Sequence, residues 1–403
     1  MPNTMVVQQA ATLLNAVVAQ QTGQAALANI TNNADFISAA QTALLTGKDP
    51  VINAISQVWK RTIFAARPYN QPLASLAIPM DRYGNALRKL SPEAAAMQDN
   101  EAYLYPAAYD AAETDPFGDG QSVDMYKIKK QKVLQTNFYG SSTYEQWYTI
   151  FERQFDVAFS GAEEFVQFMT MLSTERRNDR ERFEEGKARL LQLNYIAALL
   201  DEGKSDRVIH LLTEYNTLTG QSLTDEDIML AANFEAFIRW MYSRIRTLVG
   251  LMRSSSNKFQ TVITGHNILR HTDPENCRVA LYRPFLEMIR SMVLSNLYNA
   301  DMMTLPTYEA IDFWQSIDNP QSINTTPVYT SAAGAVKTAT AAVVNSTVIG
   351  VIHDRDAIGY ALLDDRALVS PFNIAGEYWN EKVSARMMAI TDVTEKGIVL
   401  CLD

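Results

Sequence analysis

The order of apolar and polar positions changes character several times along the chain. Residues 1–47 are rich in Ala, Gln, Asn and Thr, with apolar clusters such as Leu13, Leu14, Val17 and Val18, and predict an arm with some helix. The arm carries a single charge, Asp35, so it is poorly solvated alone and is expected either to lie on another surface or to be a flexible N-terminus. Pro68, Pro72 and Pro79 then favour an extended chain. Residues 81–135 read as a hairpin. Beyond it, Ser160 and Glu163 form a capping box, no proline intervenes before Asp201, and Gly203 supplies a stop. One helix of about 40 residues, roughly 60 Å long, is expected there. A compact body of this length has a diameter of roughly 55 Å, so such a rod implies a flat or elongated subunit. Gly186 is the main caution to an unbroken rod, a residue able to weaken or bend it.

A shorter helix is predicted over 206–218, with Ser205 as cap and a break at Gly220. Thr224 and Asp227 signal the next start, after which Phe234, Phe237, Met241, Ile245, Leu248 and Met252 recur at helical spacing and read as core. Short strands are expected at 261–264 and 309–314, a helix near 284–297 and a loop over 318–328. The last sixty residues read as strands, with turns at Gly350, Gly359, Pro371, Gly376 and Gly397. The class is α+β, without βαβ alternation or an internal repeat.

Composition narrows the function. The 403 residues contain 35 Lys+Arg against 45 Asp+Glu, a net charge of −10, which disfavours a face built to grip phosphates. Hydrophobic residues make up 47% of the chain, enough for a core, and the length suggests roughly 2 to 3 domains. No apolar run approaches the ~18 residues of a membrane span. Residues 1–47 lack Lys and Arg, so a charged signal-peptide start is missing and the protein is expected to be cytosolic where it is made. Cys277 and Cys401 are too few for a disulfide framework or a four-ligand zinc site.

Charge is unevenly placed. Residues 93–124 hold eight acids and no Lys or Arg, while basic residues flank them. Folded as a hairpin, this gives an acidic tip on a basic stem, complementary to a second copy laid head to tail. The candidate contacts on the stem are Arg82, Arg88, Lys89, Lys127, Lys129 and Lys130. Those toward the tip are Glu101, Tyr105, Asp110, Asp115, Phe117 and Asp119, the aromatics favouring a docking surface over a solvated insertion. Within the long helix, eleven of the sixteen residues 174–189 are charged. Such a stretch is either bathed in water or packed on charged partners, which adds Arg176, Arg177, Arg180 and Glu184 as contact candidates.

Catalytic signatures are missing: there is no P-loop, GxGxxG, GxSxG or HExxH pattern. Asp115, Asp119 and Gly120 fail as a calcium loop, because Phe117 and Tyr126 stand where oxygen ligands are needed. His266 and His271, near Asp273 and Cys277, lack firm tetrahedral spacing, and His353 is expected in a hydrogen-bonded turn. No catalytic, cofactor-binding or metal-ligating residue is nominated, and no cofactor is expected.

Arm, hairpin, long helix, mixed domain and strand-rich return occur here in the order of a tailed-bacteriophage major capsid protein, the shell fold shared with encapsulins. The run 351–360, through Glu377, Tyr378, Trp379 and Asn380 to the strands 383–389 and 398–402, resembles that family most. The resemblance implies an N-terminal arm at 1–60, an extended loop with flanking strands at 61–140 and a peripheral domain with a spine helix at 141–225. An axial domain at 226–345 and C-terminal strands returning at 346–403 complete it. It further implies a non-enzymatic subunit of the virion capsid, assembling with copies of itself into hexamers and pentamers of an icosahedral head around double-stranded DNA, bound without sequence specificity. The arm is too short and uncharged to be a scaffolding segment, so a separate scaffolding protein is expected, with a portal and decoration proteins as further partners and no membrane. Some relatives cross-link a loop lysine to a neighbour's asparagine; no partner residue is identified here. Two alternatives stay open: an encapsulin-like compartment shell, and a soluble helical enzyme whose acidic loop is a lid.

Overall fold

The computed structural model describes residues 72–78, 86–95, 97, 126, 128, 130–139, 141–152, 162–287 and 308–403. The arm, nearly all of the acidic segment, the cap at Ser160 and all but the start of the helix near 284–297 lie outside them.

Strands β1 (Ala86–Pro92) and β2 (Val133–Tyr139) pair antiparallel in unbroken register, Ala86 opposite Tyr139 and Pro92 opposite Val133. They form the stem of the expected hairpin. One residue later the chain is extended again as β3 (Ser141–Phe151), whose alternation sets Tyr144, Gln146, Tyr148 and Ile150 on one face and Glu145, Trp147, Thr149 and Phe151 on the other. The expected long helix follows as α1 (Ala162–Glu202), 41 residues that stay helical through Gly186. Gly203, at φ 58°, ends it by donating its N–H to the Leu199 carbonyl at 3.2 Å.

The single helix predicted over 206–218 is instead a strand, β4 (Val208–His210), followed by α2 (Leu211–Thr219), which has no side-chain cap. The reason is tertiary: Val208, Ile209 and His210 pair in parallel with β14 (Gly397–Cys401) at the far end of the chain. Gly220 ends α2 at φ 70°. Thr224 and Asp227 do form the capping box, but it holds only the one-turn α3 (Asp225–Ile228). The apolar stripe belongs to a separate helix, α4 (Ala231–Met252), and every stripe residue is buried.

The central sheet runs β4-β14-β11-β5-β6, adding β5 (Cys277–Tyr282), β6 (Tyr308–Ile311) and β11 (Val348–Asp354). Every residue of β11 and β14 is buried, the apolar runs 348–352 and 397–401 together with the polar His353 and Asp354 that end β11. Gly350 lies within β11, and Gly359 within the strand Ile358–Val369 of the second sheet, rather than in turns. A Cβ on Gly350 would sit 2.7 Å from Leu281 Cδ2 and 2.9 Å from the Ala280 carbonyl, and one on Gly359 would overlap the Ile78 side chain. His353 is likewise a buried strand residue, its Nδ1 2.8 Å from the Asp354 carbonyl, and burial presses its pKa down to about 4.

A second sheet has the order β12-β13-β3, with β12 (Ile358–Val369) and β13 (Tyr378–Thr391), and α1 lies against it. The segment expected as a loop over 318–328 contains β7 (Ile323–Thr325) and the start of β8 (Val328–Thr330). These pair with β10 (Val343–Asn345) and β9 (Val336–Thr338) in two small ribbons packed on α1. Residues 261–264 form no strand; the Thr261 N–H donates to the Val393 carbonyl at 3.1 Å instead.

Candidate assembly surfaces

The hairpin stem rests on the chain's own body. Lys89 pairs with Asp392 at 2.6 Å and also with Glu395, both in the turn between β13 and β14. Arg270 reaches Glu395 at 2.6 Å and the Ser91 hydroxyl at 3.1 Å, while His266 Nδ1 lies 2.6 Å from Glu93. Burial acts to raise Asp392, but the Lys89 charge and hydrogen bonds from Thr394 outweigh it and leave that carboxyl below its ordinary range. Glu395 goes the other way, burial prevailing over Lys89 and Arg270. Lys89 is thus a bracing residue, and its charge is engaged within the chain rather than facing a neighbour. Arg88 and Lys130 are exposed. Arg82, Lys127, Lys129, Glu101, Tyr105, Asp110, Asp115, Phe117 and Asp119 lie outside the described residues.

The charged middle of α1 is neither wholly solvated nor wholly free for a partner. Arg176 and Arg177 are buried, and Arg176 pairs with the buried Glu381 of β13 at 2.6 Å while its guanidinium lies 4.5 Å from the Tyr148 ring centre. Desolvation presses the Arg176 pKa down and pushes the Tyr148 hydroxyl up. Gln146 donates to Asp179 at 3.1 Å, the Tyr144 and Phe183 rings are 4.5 Å apart, and Arg180 donates to Glu184 at 2.9 Å. Arg189 bonds Glu185 and donates to the Phe313 carbonyl at 2.7 Å. Arg176, Arg177 and Glu184 therefore sit in a polar seam inside the subunit, which corrects the reading of this face as open to a neighbour; Arg180 is half-buried there.

Two features escaped the sequence reading. Arg207, fully buried, donates to Glu202 and Thr261 at 2.8 and 2.7 Å and to the carbonyls of Val393 and Gly397 at 3.1 Å each, tying the end of α1 to the β13–β14 turn. No local motif marks it. The other feature is the sheet face turned away from α1, where the register aligns Leu368, Lys382 and Trp147 in one row. Trp147 and Leu368 are more than half exposed, and Lys382 lies 5.1 Å from the Trp147 ring centre while pairing with Glu145 at 2.5 Å. The period-2 pattern of 145–151 was the available signal.

A cleft of about 450 Å³ between α2, α4 and the loop at Phe259 has an apolar floor of Ile209, Leu248 and Phe259. Its arginine, Arg244, is held by Glu214 through bonds of 2.7 and 2.9 Å.

The sequence matches a model of the Phi29-like phage major capsid protein family over residues 14–399. No curated protein matches it. Among solved structures, the chain is similar to one described as the capsid structure of Staphylococcus phage Andhra, at 10% identity and a TM-score of 0.49, covering 84% of this chain and 86% of that one. A chain in the structure of the head fiber and inner core protein gp22 of bacteriophage P68 gives 11% identity, a TM-score of 0.48 and coverage of 81% and 83%. The capsid structure of cyanophage P-SCSP1u gives 11%, 0.42, and 84% and 89%.

Proposed function

This chain belongs to the Phi29-like phage major capsid protein family and is a structural subunit of a phage head, and from that premise we propose how it tiles. Copies assemble as hexamers and pentamers of an icosahedral shell, the acidic segment 93–124 of one subunit meeting the basic stem of the next. The observation that supports this geometry is the β1–β2 stem, paired over its whole length and braced midway by Lys89 and, at the end next to the acidic segment, by Arg270 on Ser91 and His266 on Glu93. A braced stem holds a charged end at a fixed angle, which lowers the ordering cost of docking. Residues 1–60 serve as an arm, 61–140 as the extended loop, 141–225 as the peripheral domain, 226–345 as the axial domain and 346–403 as the returning strands.

The net charge of −10 suits a wall that encloses double-stranded DNA without holding it. A separate scaffolding protein, a portal and decoration proteins complete the head, which is built in the host cytoplasm. Family membership implies a structural rather than enzymatic role and sets the compartment-shell and lid-enzyme readings aside. Reversing Lys129 and Lys130 together to Glu tests the head-to-tail contact: head yield is expected to fall while the dispersed subunit stays folded, and an unchanged yield contradicts it.

A further inference from the structure

Residues 236–272 hold Arg239, Arg244, Arg246, Arg253, Lys258 and Arg270 and not one Asp or Glu, in a chain whose net charge is −10. Two of these cations are spent within the subunit, Arg244 on Glu214 and Arg270 on Glu395. Three of the others fall seven residues apart, at 239, 246 and 253, on α4 and its C-terminal cap. An α-helix returns to nearly the same face after seven residues, so these arginines form one row in steps of about 10.5 Å. All three are exposed, on the side opposite the buried stripe of α4. Pairing inside the chain does not account for the row. Arg239 meets Glu235 at 2.6 Å, an exposed pair of the kind that contributes little. Arg246 lies 6.0 Å from the Tyr242 ring centre, and neither it nor Arg253 makes an ion pair among the described residues. The helix dipole favours a cation at Arg253 but reaches only the last turn.

Beside the arginines run Ala236, Ser243 and Gly250, also seven apart and exposed. Glycine is a poor helix former, and a Cβ on Gly250 would meet nothing within 4 Å, so the subunit's own packing does not call for it. Small side chains let a second helix approach closely, because the distance between packed helices is set by the side chains at the contact. The seven-residue interval identifies the occupant. Acids at every seventh position of another α-helix recur at the same steps of about 10.5 Å and meet the arginines one for one when the two helices run nearly side by side. This chain does not supply such a helix, since none of its described helices has two acids seven residues apart. A nucleic acid duplex meets the tips of arginines at its phosphates and gains nothing from the missing side chain at Gly250.

We infer that the outer face of α4 docks an acidic helix of a different protein, Arg239, Arg246 and Arg253 each meeting a carboxylate and Gly250 letting the two helices close. This contact is independent of the hairpin and of the geometry of the head. Two synthetic peptides of one composition, Ala-rich, helical and about 20 residues long, test it on the dispersed full-length subunit by fluorescence anisotropy at low salt. One peptide sets its glutamates seven apart in a row, and the other spreads them around the helix. The row peptide is expected to bind about 10-fold tighter. Joint Arg246→Gln and Arg253→Gln substitution is expected to remove that preference. Gly250→Leu is expected to weaken binding about 10-fold with the circular dichroism of the subunit unchanged. Equal binding of the two peptides, or full binding by the Gly250→Leu subunit, overturns the inference. Displacement of the row peptide by a short DNA duplex at lower concentration than by unlabelled peptide also overturns it and assigns the row to phosphates. These outcomes leave the shell reading standing, which head formation by the unaltered chain tests separately.

Discussion

Helix α1 serves two sheets, and it meets them on different terms. Its last turns place Tyr195, Ile196, Ala198 and Leu199 on the central sheet, where β11 and β14 are wholly buried and a Cβ on Gly397 would overlap the Tyr195 hydroxyl. Its middle places Arg176, Asp179 and Phe183 on Tyr148, Gln146 and Tyr144 of the three-stranded sheet, whose other face leaves Trp147 and Leu368 in the open. Apolar burial stabilises the first region without a partner. In the second, a buried ion pair adds little net stability, and a hypothesis that fits is that it fixes the angle at which sheet and hairpin leave the body. The difference separates a subunit that folds alone from surfaces that neighbours complete.

The largest expected effect lies where the two regions join. Arg207→Ala leaves the buried Glu202 only the more distant Lys204, at 3.8 Å, as a cation and strips bonds from two carbonyls, so urea unfolding of the dispersed subunit is expected to show a loss of about 4 kcal/mol. A loss under about 1 kcal/mol would remove Arg207 from the bracing role. Arg176→Met removes one side of a buried ion pair with Glu381 and is expected to cost about 3 kcal/mol, whereas the double variant with Glu381→Leu is expected to return close to the parent. Equal losses in single and double variants would mean that the pair stabilises outright.

A pH titration addresses the central sheet alone. His353 titrates at about 4 in the fold against about 6.5 unfolded, so between these values the unfolded chain binds more protons and stability falls as pH drops. The full window is worth about 3 kcal/mol, and His353→Gln is expected to flatten that slope in denaturation curves. Asp392, depressed in the fold, contributes stability that disappears only as pH falls further, below its ordinary value; the raised Glu395 acts with the opposite sign. The smallest effect on folding is expected from Trp147→Ser, under about 0.5 kcal/mol for the dispersed subunit, yet head yield is expected to drop. An unchanged yield would make that face ordinary surface.

What the sequence disclosed was whatever is encoded locally. The end of α1 at Gly203, the Thr224 capping box and the α4 stripe all rest on residues near one another in the chain. What it concealed depended on distant partners. Val208 pairs with Val399, Lys89 with Asp392 and Arg176 with Glu381, so a strand looked like a helix turn and bracing charges looked like free ones. Gly350 and Gly359 misled for a related reason: they serve close approach by Leu281 and Ile78, which a reading of turn propensity does not register.

Hydrogen–deuterium exchange on the dispersed subunit and on assembled heads tests the division most directly. The amides of β11 and β14 are expected to be protected equally in both states, while the outer row at Trp147 and Leu368 gains protection only in heads. Protection already complete in the dispersed subunit, or gained uniformly along the chain, would contradict the account.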